Sequence, residues 1–270
     1  PRVHHNYKET SDDKADWNRL MNAIADGISR GEMTKVVSSR EVEFTSETPY
    51  NVASILANLV DNNPNCFIFG YEKDGRTFVG ASPEILVRHR GSEILSYALA
   101  GTAPKDGPNA WTEEQLLTNT KNIIEHNIVR DRIVNTMKQI TPDITVGETG
   151  IMELSHLYHL RTIITAKDST KSLVEWAELL HPTPALGGEP REKALALLQK
   201  YESHERGMYA APFGFMKDMG DGIVVVAIRS ALIMDNVLYA YAGCGVVADS
   251  DADEEYAETN NKMRTILDAL

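Results

Sequence analysis

Near the C-terminus, Glu255, Glu258 and Lys262 follow one another at i, i+3 and i+7, so in a helix their side chains project from one face. Two carboxylates and an ammonium on one ledge suit a hard cation such as Mg²⁺, which takes carboxylate oxygens, few protein ligands and several waters. A solvated charged face has the same spacing. Glu125 is a candidate further carboxylate because it borders the apolar stripe of Ile124 and Ile128, where it would be half-buried; the plain alternative is a rim residue. Lys35 opens the apolar run Thr34-Lys35-Val36-Val37-Ser38-Ser39-Arg40. A lysine there either snorkels to the surface or, desolvated, can take a proton from water. Glu84, at the turn Gly80-Ala81-Ser82-Pro83-Glu84, is either solvent-facing or kept protonated by burial and able to act as an acid. Arg229 interrupts the apolar run around Ala227-Ile228-Arg229-Ser230 and suits either bidentate capture of a carboxylate or a buried ion pair. Gly243-Cys244-Gly245 lets the backbone approach an anion, or marks a bulge.

These residues need elements to hold them. After a polar opening stretch expected to be a mobile arm, Trp17, Leu20, Met21, Ile24 and Ile28 recur at helical spacing. A β-branched strand is predicted from Thr34 to Phe44, then a helix through Val52, Ile55, Leu56 and Leu59 that stops at Asn62-Asn63-Pro64. Short strands at Phe67–Tyr71, Thr77–Gly80, Ile85–His89 and Glu93–Leu99 read as an antiparallel meander. From Thr112, a plausible N-cap, one helix of about 25 residues is expected to carry Glu125 and His126. A strand at Leu157–Ala166, helices at Leu173–Leu180 and Glu192–Tyr201, strands at Ala211–Met216, Gly222–Met234 and Val237–Val247, and a last helix from Ala252 complete the chain. Strands and helices alternate without a βαβ rhythm. We therefore expect an α+β sandwich of large antiparallel sheets with outer helices.

A length of 270 residues with 42% hydrophobic residues is enough to bury a large core. No apolar run is long enough for a membrane span or a secretory leader, and the two cysteines, Cys66 and Cys244, form no C-x-x-C pair, so a cytoplasmic location is the expectation. A net charge of −12 with no basic cluster argues against nucleic acid. An anionic small molecule would need local cations or a metal held by some of the 39 acidic residues. Because the chain begins at Pro1 rather than Met, a preceding segment is expected.

Taken in order, nine segments closely resemble the catalytic domain of the chorismate-utilising enzymes. They are Lys35–Arg40, Gly80–Glu84, Leu99-Ala100-Gly101-Thr102, Glu125-His126, His159-Leu160, His181–Ala185, Ala227–Arg229, Ala242-Gly243-Cys244-Gly245 and Glu255–Thr259 with Lys262. The resemblance implies that residues 1–270 are a catalytic chorismate-binding domain lacking the N-terminal part of a full-length enzyme, with Mg²⁺ as cofactor. Glu125 and Glu258 are then metal ligands supported by Glu255. Arg229 and Tyr209 bind the enolpyruvyl carboxylate; Gly101, Thr102, Gly243, Gly245 and Lys262 surround the ring carboxylate and metal; and His159 is a site histidine.

Lysine at position 35 resembles the members that attack the ring with water rather than ammonia, Ala100 stands where aminodeoxychorismate synthases have a nucleophilic lysine, and Ala185 stands where salicylate synthases tend to have threonine. An isochorismate synthase is thereby implied, with Lys35 as base and Glu84 as acid, chorismate and isochorismate as its ligands, and no glutamine amidotransferase subunit. Glu205–Pro212 resembles the menaquinone branch. A salicylate synthase, a siderophore-pathway isochorismate synthase and a non-catalytic chorismate- or metal-binding domain are the alternatives. The residues after Gly101-Thr102 and before Glu125 depart from the family pattern.

Overall fold

Two seven-stranded antiparallel sheets face each other, and the chain passes between them at short crossovers. The computed structural model describes residues 2–270. Its first half contains β1 (Tyr7–Glu9), α1 (Lys14–Ser29), β2 (Lys35–Ser46), α2 (Val52–Asn62), β3 (Phe67–Lys73), β4 (Arg76–Ser82), β5 (Ile85–Arg90), β6 (Glu93–Pro104), α3 (Glu113–Thr118) and α4 (Thr120–Lys138). Its second half contains β7 (Ile144–Val146), β8 (Gly150–Glu153), β9 (Leu157–Lys167), α5 (Leu173–Leu180), β10 (Gly188–Glu189), α6 (Arg191–Tyr201), β11 (Pro212–Met216), β12 (Gly222–Val226), β13 (Ser230–Met234), β14 (Val237–Val246) and α7 (Ala252–Leu267). One sheet runs β1-β2-β14-β13-β4-β3 with β10 against β2; the other runs β11-β12-β5-β6-β9-β7 with β8 against β9.

Burial of apolar faces drives this layering. Phe69, Phe78 and Tyr241 of the first sheet share one buried cluster with Leu86, Ile94, Ile164 and Val226 of the second, and Val129, Ile133 and Trp176 bring α4 and α5 into it. On the first sheet, Val42, Val79, Ile233 and Leu238 pack under Ile55 and Leu59 of α2 and Met263 and Ile266 of α7. Trp17, Leu20 and Ile24 of α1 meet Leu198 of α6 over Val36 and Val246.

The structure departs from the sequence reading in four places. The opening stretch is not a free arm: Tyr7–Glu9 pairs with Phe44–Ser46 of β2, and the His5 N–H donates to the Leu270 carbonyl at 2.9 Å. The meander is two hairpins in different sheets, because the chain changes sheet between β4 and β5 at Pro83-Glu84. The run Gly222–Met234 likewise splits at Ala227-Ile228-Arg229, where Arg229 takes a left-handed φ of 53°, a conformation costly for a residue with a side chain. The long helix from Thr112 breaks at Asn119, whose side chain accepts the Asn122 N–H at 3.0 Å and so caps a new helix. Thr112 does cap the first piece, reciprocally with Gln115.

Candidate active site

The two crossovers lie side by side. The Ala81 N–H donates to the Arg229 carbonyl at 3.0 Å, and the Val226 N–H donates to the Glu84 carbonyl at 3.1 Å. The pairing of the two crossovers delivers Glu84 and Arg229 together into one cavity. Leu99, Ala100, Ile228 and Leu186 give it apolar walls.

Glu84 is 2% exposed, and its Oε1 is buried without a hydrogen-bond partner. Burial pushes its carboxyl up to about 8, against the opposing pull of Lys35, then Arg229 and Lys262. It is therefore a neutral acid at pH 7. Arg229, 5% exposed, has no carboxylate within ion-pair distance among the described residues. Its Nη2 instead donates to His159 Nε2 at 2.7 Å. Because a guanidinium has no acceptor, Nε2 must carry the lone pair, leaving Nδ1–H to donate to Thr102 Oγ1 at 3.0 Å. Burial, then the Arg229 charge, holds the His159 ring neutral. A buried, unneutralised guanidinium beside a neutral imidazole is an anion receptor. The ion-pair alternative for Arg229 is thus set aside.

Lys35 is fully buried because β2 is flanked at this end by β14 on one side and by β10 on the other, where Glu189 sits opposite Lys35. Its Nζ lies 3.0 Å from Glu125 Oε1. Glu125 is 7% exposed, more deeply set than its expected boundary position. The stripe expected through Ile124 and Ile128 is displaced: Ile124 is exposed, and the buried face of α4 is Asn122, Glu125, His126, Val129, Ile133 and Met137. Polar groups can occupy that face because each finds a partner. His126 bridges the Ala100 carbonyl at 3.0 Å and Thr162 Oγ1 at 2.7 Å, and Asn122 Oδ1 accepts the Thr102 N–H at 2.9 Å.

Three lysines meet three glutamates one to one: Lys35 with Glu125, Lys121 with Glu255, and Lys262 with Glu258 at 2.6 Å. Lys262 Nζ also donates to the Gly243 carbonyl at 2.8 Å. Burial, then the charge of Glu258, pushes the Glu255 carboxyl up, and Glu255 Oε2 is buried without a hydrogen-bond partner. Mutually repelling carboxylates with an orphaned oxygen form an all-oxygen donor set that fits Mg²⁺. Among the described residues no three His, Cys, Asp or Glu side chains are grouped so as to hold a metal ion by themselves, each of these glutamates being turned to its lysine; Mg²⁺ typically uses one or two carboxylates with substrate and water. Gly243 and Gly245 are small for a reason other than a bulge. A Cβ on Gly243 would stand 2.6 Å from Tyr209 Oη, and one on Gly245 would stand 2.0 Å from Glu125 Oε1.

A family of proteins described as chorismate binding enzymes matches residues 1–270. The chain belongs to the chorismate binding enzymes. It is 36% identical over 264 residues to the isochorismate synthase MenF of Bacillus subtilis, covering 96% of this chain and 56% of that protein. A Bacillus anthracis structure assigned to a 2,3-dihydroxybenzoate-specific isochorismate synthase, DhbC, superposes with a TM-score of 0.92 at 29% identity, over all of this chain and 75% of that one. The menaquinone-specific isochorismate synthase MenF of Escherichia coli superposes with a TM-score of 0.87 at 30% identity, over 99% of this chain and 64% of that one. The chain thus spans little more than half the length of the Bacillus subtilis relative.

In this chorismate binding enzyme the cavity brings together Glu84, Thr102, Glu125, His159, Ala185, Tyr209, Arg229, Gly243, Gly245 and Lys262. Lys35, Glu255 and Glu258 do not line it: Lys35 stands behind Gly245, Glu258 pairs with the lining residue Lys262, and Glu255 pairs with Lys121. Gly101 does not line it: with φ +85°, it turns a bulge in β6, and a Cβ there would crowd the Asn122 carbonyl at 3.1 Å. The sequence reading gave no site role to Lys121, Asn122 or Cys244. Lys121 sits one helical turn before Glu125 and on its face, a spacing that could have marked it.

Proposed function

We propose that this chain is the catalytic part of an isochorismate synthase that converts chorismate to isochorismate with Mg²⁺. The observation that carries this reading is the neutral, buried Glu84 and the unpaired Arg229 lining one chamber, with the fully buried Lys35 behind Gly245 in its wall. Glu125 and Glu258, with Glu255 in support, would hold the Mg²⁺, which when bound would supply the counter-charge for the ring carboxylate of chorismate. Arg229 and Tyr209 would hold the enolpyruvyl carboxylate, with His159 keeping the guanidinium aimed. Thr102, Gly243 and Gly245 would wall the ring carboxylate.

Lys35 Nζ takes a proton from a water as its oxygen bonds to C2, the ring double bond shifts, and the C4 hydroxyl leaves as water with the proton of Glu84. The products are isochorismate, an ammonium at Lys35 and a carboxylate at Glu84, and proton return between the two resets the site. Lys35 Nζ is 3.0 Å from Glu125 Oε1, so this step requires Glu125 to be engaged by another partner. With water as nucleophile, no ammonia-delivering subunit is needed. Similarity to both MenF relatives supports a menaquinone role.

Incubation with chorismate and Mg²⁺, followed by chromatography, is expected to yield isochorismate. Salicylate with pyruvate would assign a salicylate synthase, and chorismate recovered unchanged would defeat the proposal. Because Glu84 must enter protonated, kcat/KM should fall about tenfold per pH unit once the pH rises beyond about 8. A profile that stays level to about pH 10 would remove Glu84 from the acid role.

A further inference from the structure

Arg40 lies in β2, five residues beyond Lys35, and is buried away from the cavity. Its guanidinium joins three elements. Nε and Nη2 donate to Asp13, just before α1, at 2.6 and 3.1 Å; Nη1 donates to Thr259 Oγ1 at 2.8 Å and Asn260 Oδ1 at 2.6 Å on α7. The guanidinium carbon stands 3.6 Å from the ring centre of Tyr256, whose hydroxyl donates to the same Asp13 at 2.9 Å.

Along α7 the residues that Arg40 touches, 256, 259 and 260, interleave with Glu255, Glu258 and Lys262. The two sets ride on the same two turns, so any roll or slide of the helix moves both. Met263 and Ile266 bury the second half of α7 in the apolar core, whereas Ala252 and Tyr256 of the first half are only partly buried against a second cluster. The first half carries the mutually repelling carboxylates, and the Arg40 fork ties the helix to β2 just beyond them.

We propose that Arg40 is a positioning residue that fixes the roll and height of α7, so that Glu255 and Glu258 meet Glu125 in one cation site. This rests on the Mg²⁺ reading above. Arg40 touches neither the cavity nor the carboxylates, and its effect passes through the helix.

Arg40→Lys keeps the charge but cannot engage Asp13, Thr259 and Asn260 together. Calorimetric titration of Mg²⁺ into the full chain, with the Mg²⁺ dependence of chorismate turnover alongside, should show affinity for Mg²⁺ weakened about tenfold or more, the usual effect of removing a group that orients metal ligands. At saturating Mg²⁺, the chorismate KM and kcat should return to within about threefold of wild type, a split that general loss of packing would not produce. Asn260→Ala, at an exposed position, removes a single bond and keeps the test open should Arg40→Lys misfold; it should weaken Mg²⁺ binding in the same direction by about two- to fourfold. Wild-type Mg²⁺ affinity in the variants that fold would overturn the positioning role while leaving the metal reading in place. A wild-type chain that takes up no Mg²⁺ would overturn both.

Discussion

Glu84→Gln should cut turnover of chorismate about 10²- to 10⁴-fold with the fold intact. The substitution is close to isosteric, and Oε1 has no hydrogen bond to lose. What disappears is the proton: an amide has none to give to a departing hydroxyl. Lys35→Met should cost a comparable factor by removing the proposed base, with a second, separable consequence. It leaves Glu125 buried beside an apolar side chain, and a buried carboxylate stripped of its partner is destabilising by about 3–5 kcal/mol. Thermal stability of Lys35→Met should therefore fall in chelator and recover as Mg²⁺ is added, whereas Glu84→Gln should show neither effect. Single-turnover rates and melting curves check both claims. More than about a tenth of wild-type turnover in either purified variant would take that residue out of the mechanism.

How much of this was legible beforehand can be traced residue by residue. Periodicity located most elements, because burying one face of a helix or strand leaves an imprint on neighbouring positions. It missed the sheet changes at Pro83-Glu84 and Ala227–Arg229, since pairing partners are set by long-range contacts that a local pattern does not encode. Those unread crossovers are the places that deliver Glu84 and Arg229 to the cavity. Local rules give way where a site must be held. Glu125 shows the same effect: the apolar letters of α4 pointed to Ile124 and Ile128, while the buried face is one residue round, with Asn122, Glu125 and His126 among its members. Composition cannot say that a carboxylate, an amide and an imidazole will each find a buried partner. The resemblance to known enzymes named Lys35, Glu84 and Glu258, but only the geometry revealed Lys121 completing three lysine–glutamate pairs.

Gly245→Ala provides the sharpest separation of site from fold. Its φ lies in the region open to any residue, so alanine brings no backbone strain there, and helix and sheet propensities are not at issue. The added carbon would instead stand 2.0 Å from Glu125 Oε1 and 2.6 Å from Lys35 Cε. Both atoms belong to the far ends of flexible side chains, which can swing aside while β14 stays paired with β2. The displaced groups are the proposed metal ligand and the proposed base, and a shift of about 1 Å at such groups costs about 10² in rate. Gly245→Ala should therefore melt within a few degrees of wild type and turn over chorismate at least about 10²-fold more slowly. Gly243→Ala is the contrasting case. Its Cβ would meet the Ser38 carbonyl of the paired strand at 2.7 Å as well as Tyr209 Oη, and backbone cannot swing aside, so stability should fall along with activity. Activity in Gly245→Ala within about threefold of wild type would mean that Glu125 and Lys35 need not hold the positions they occupy, and the two-sided acid and base arrangement would have to be abandoned.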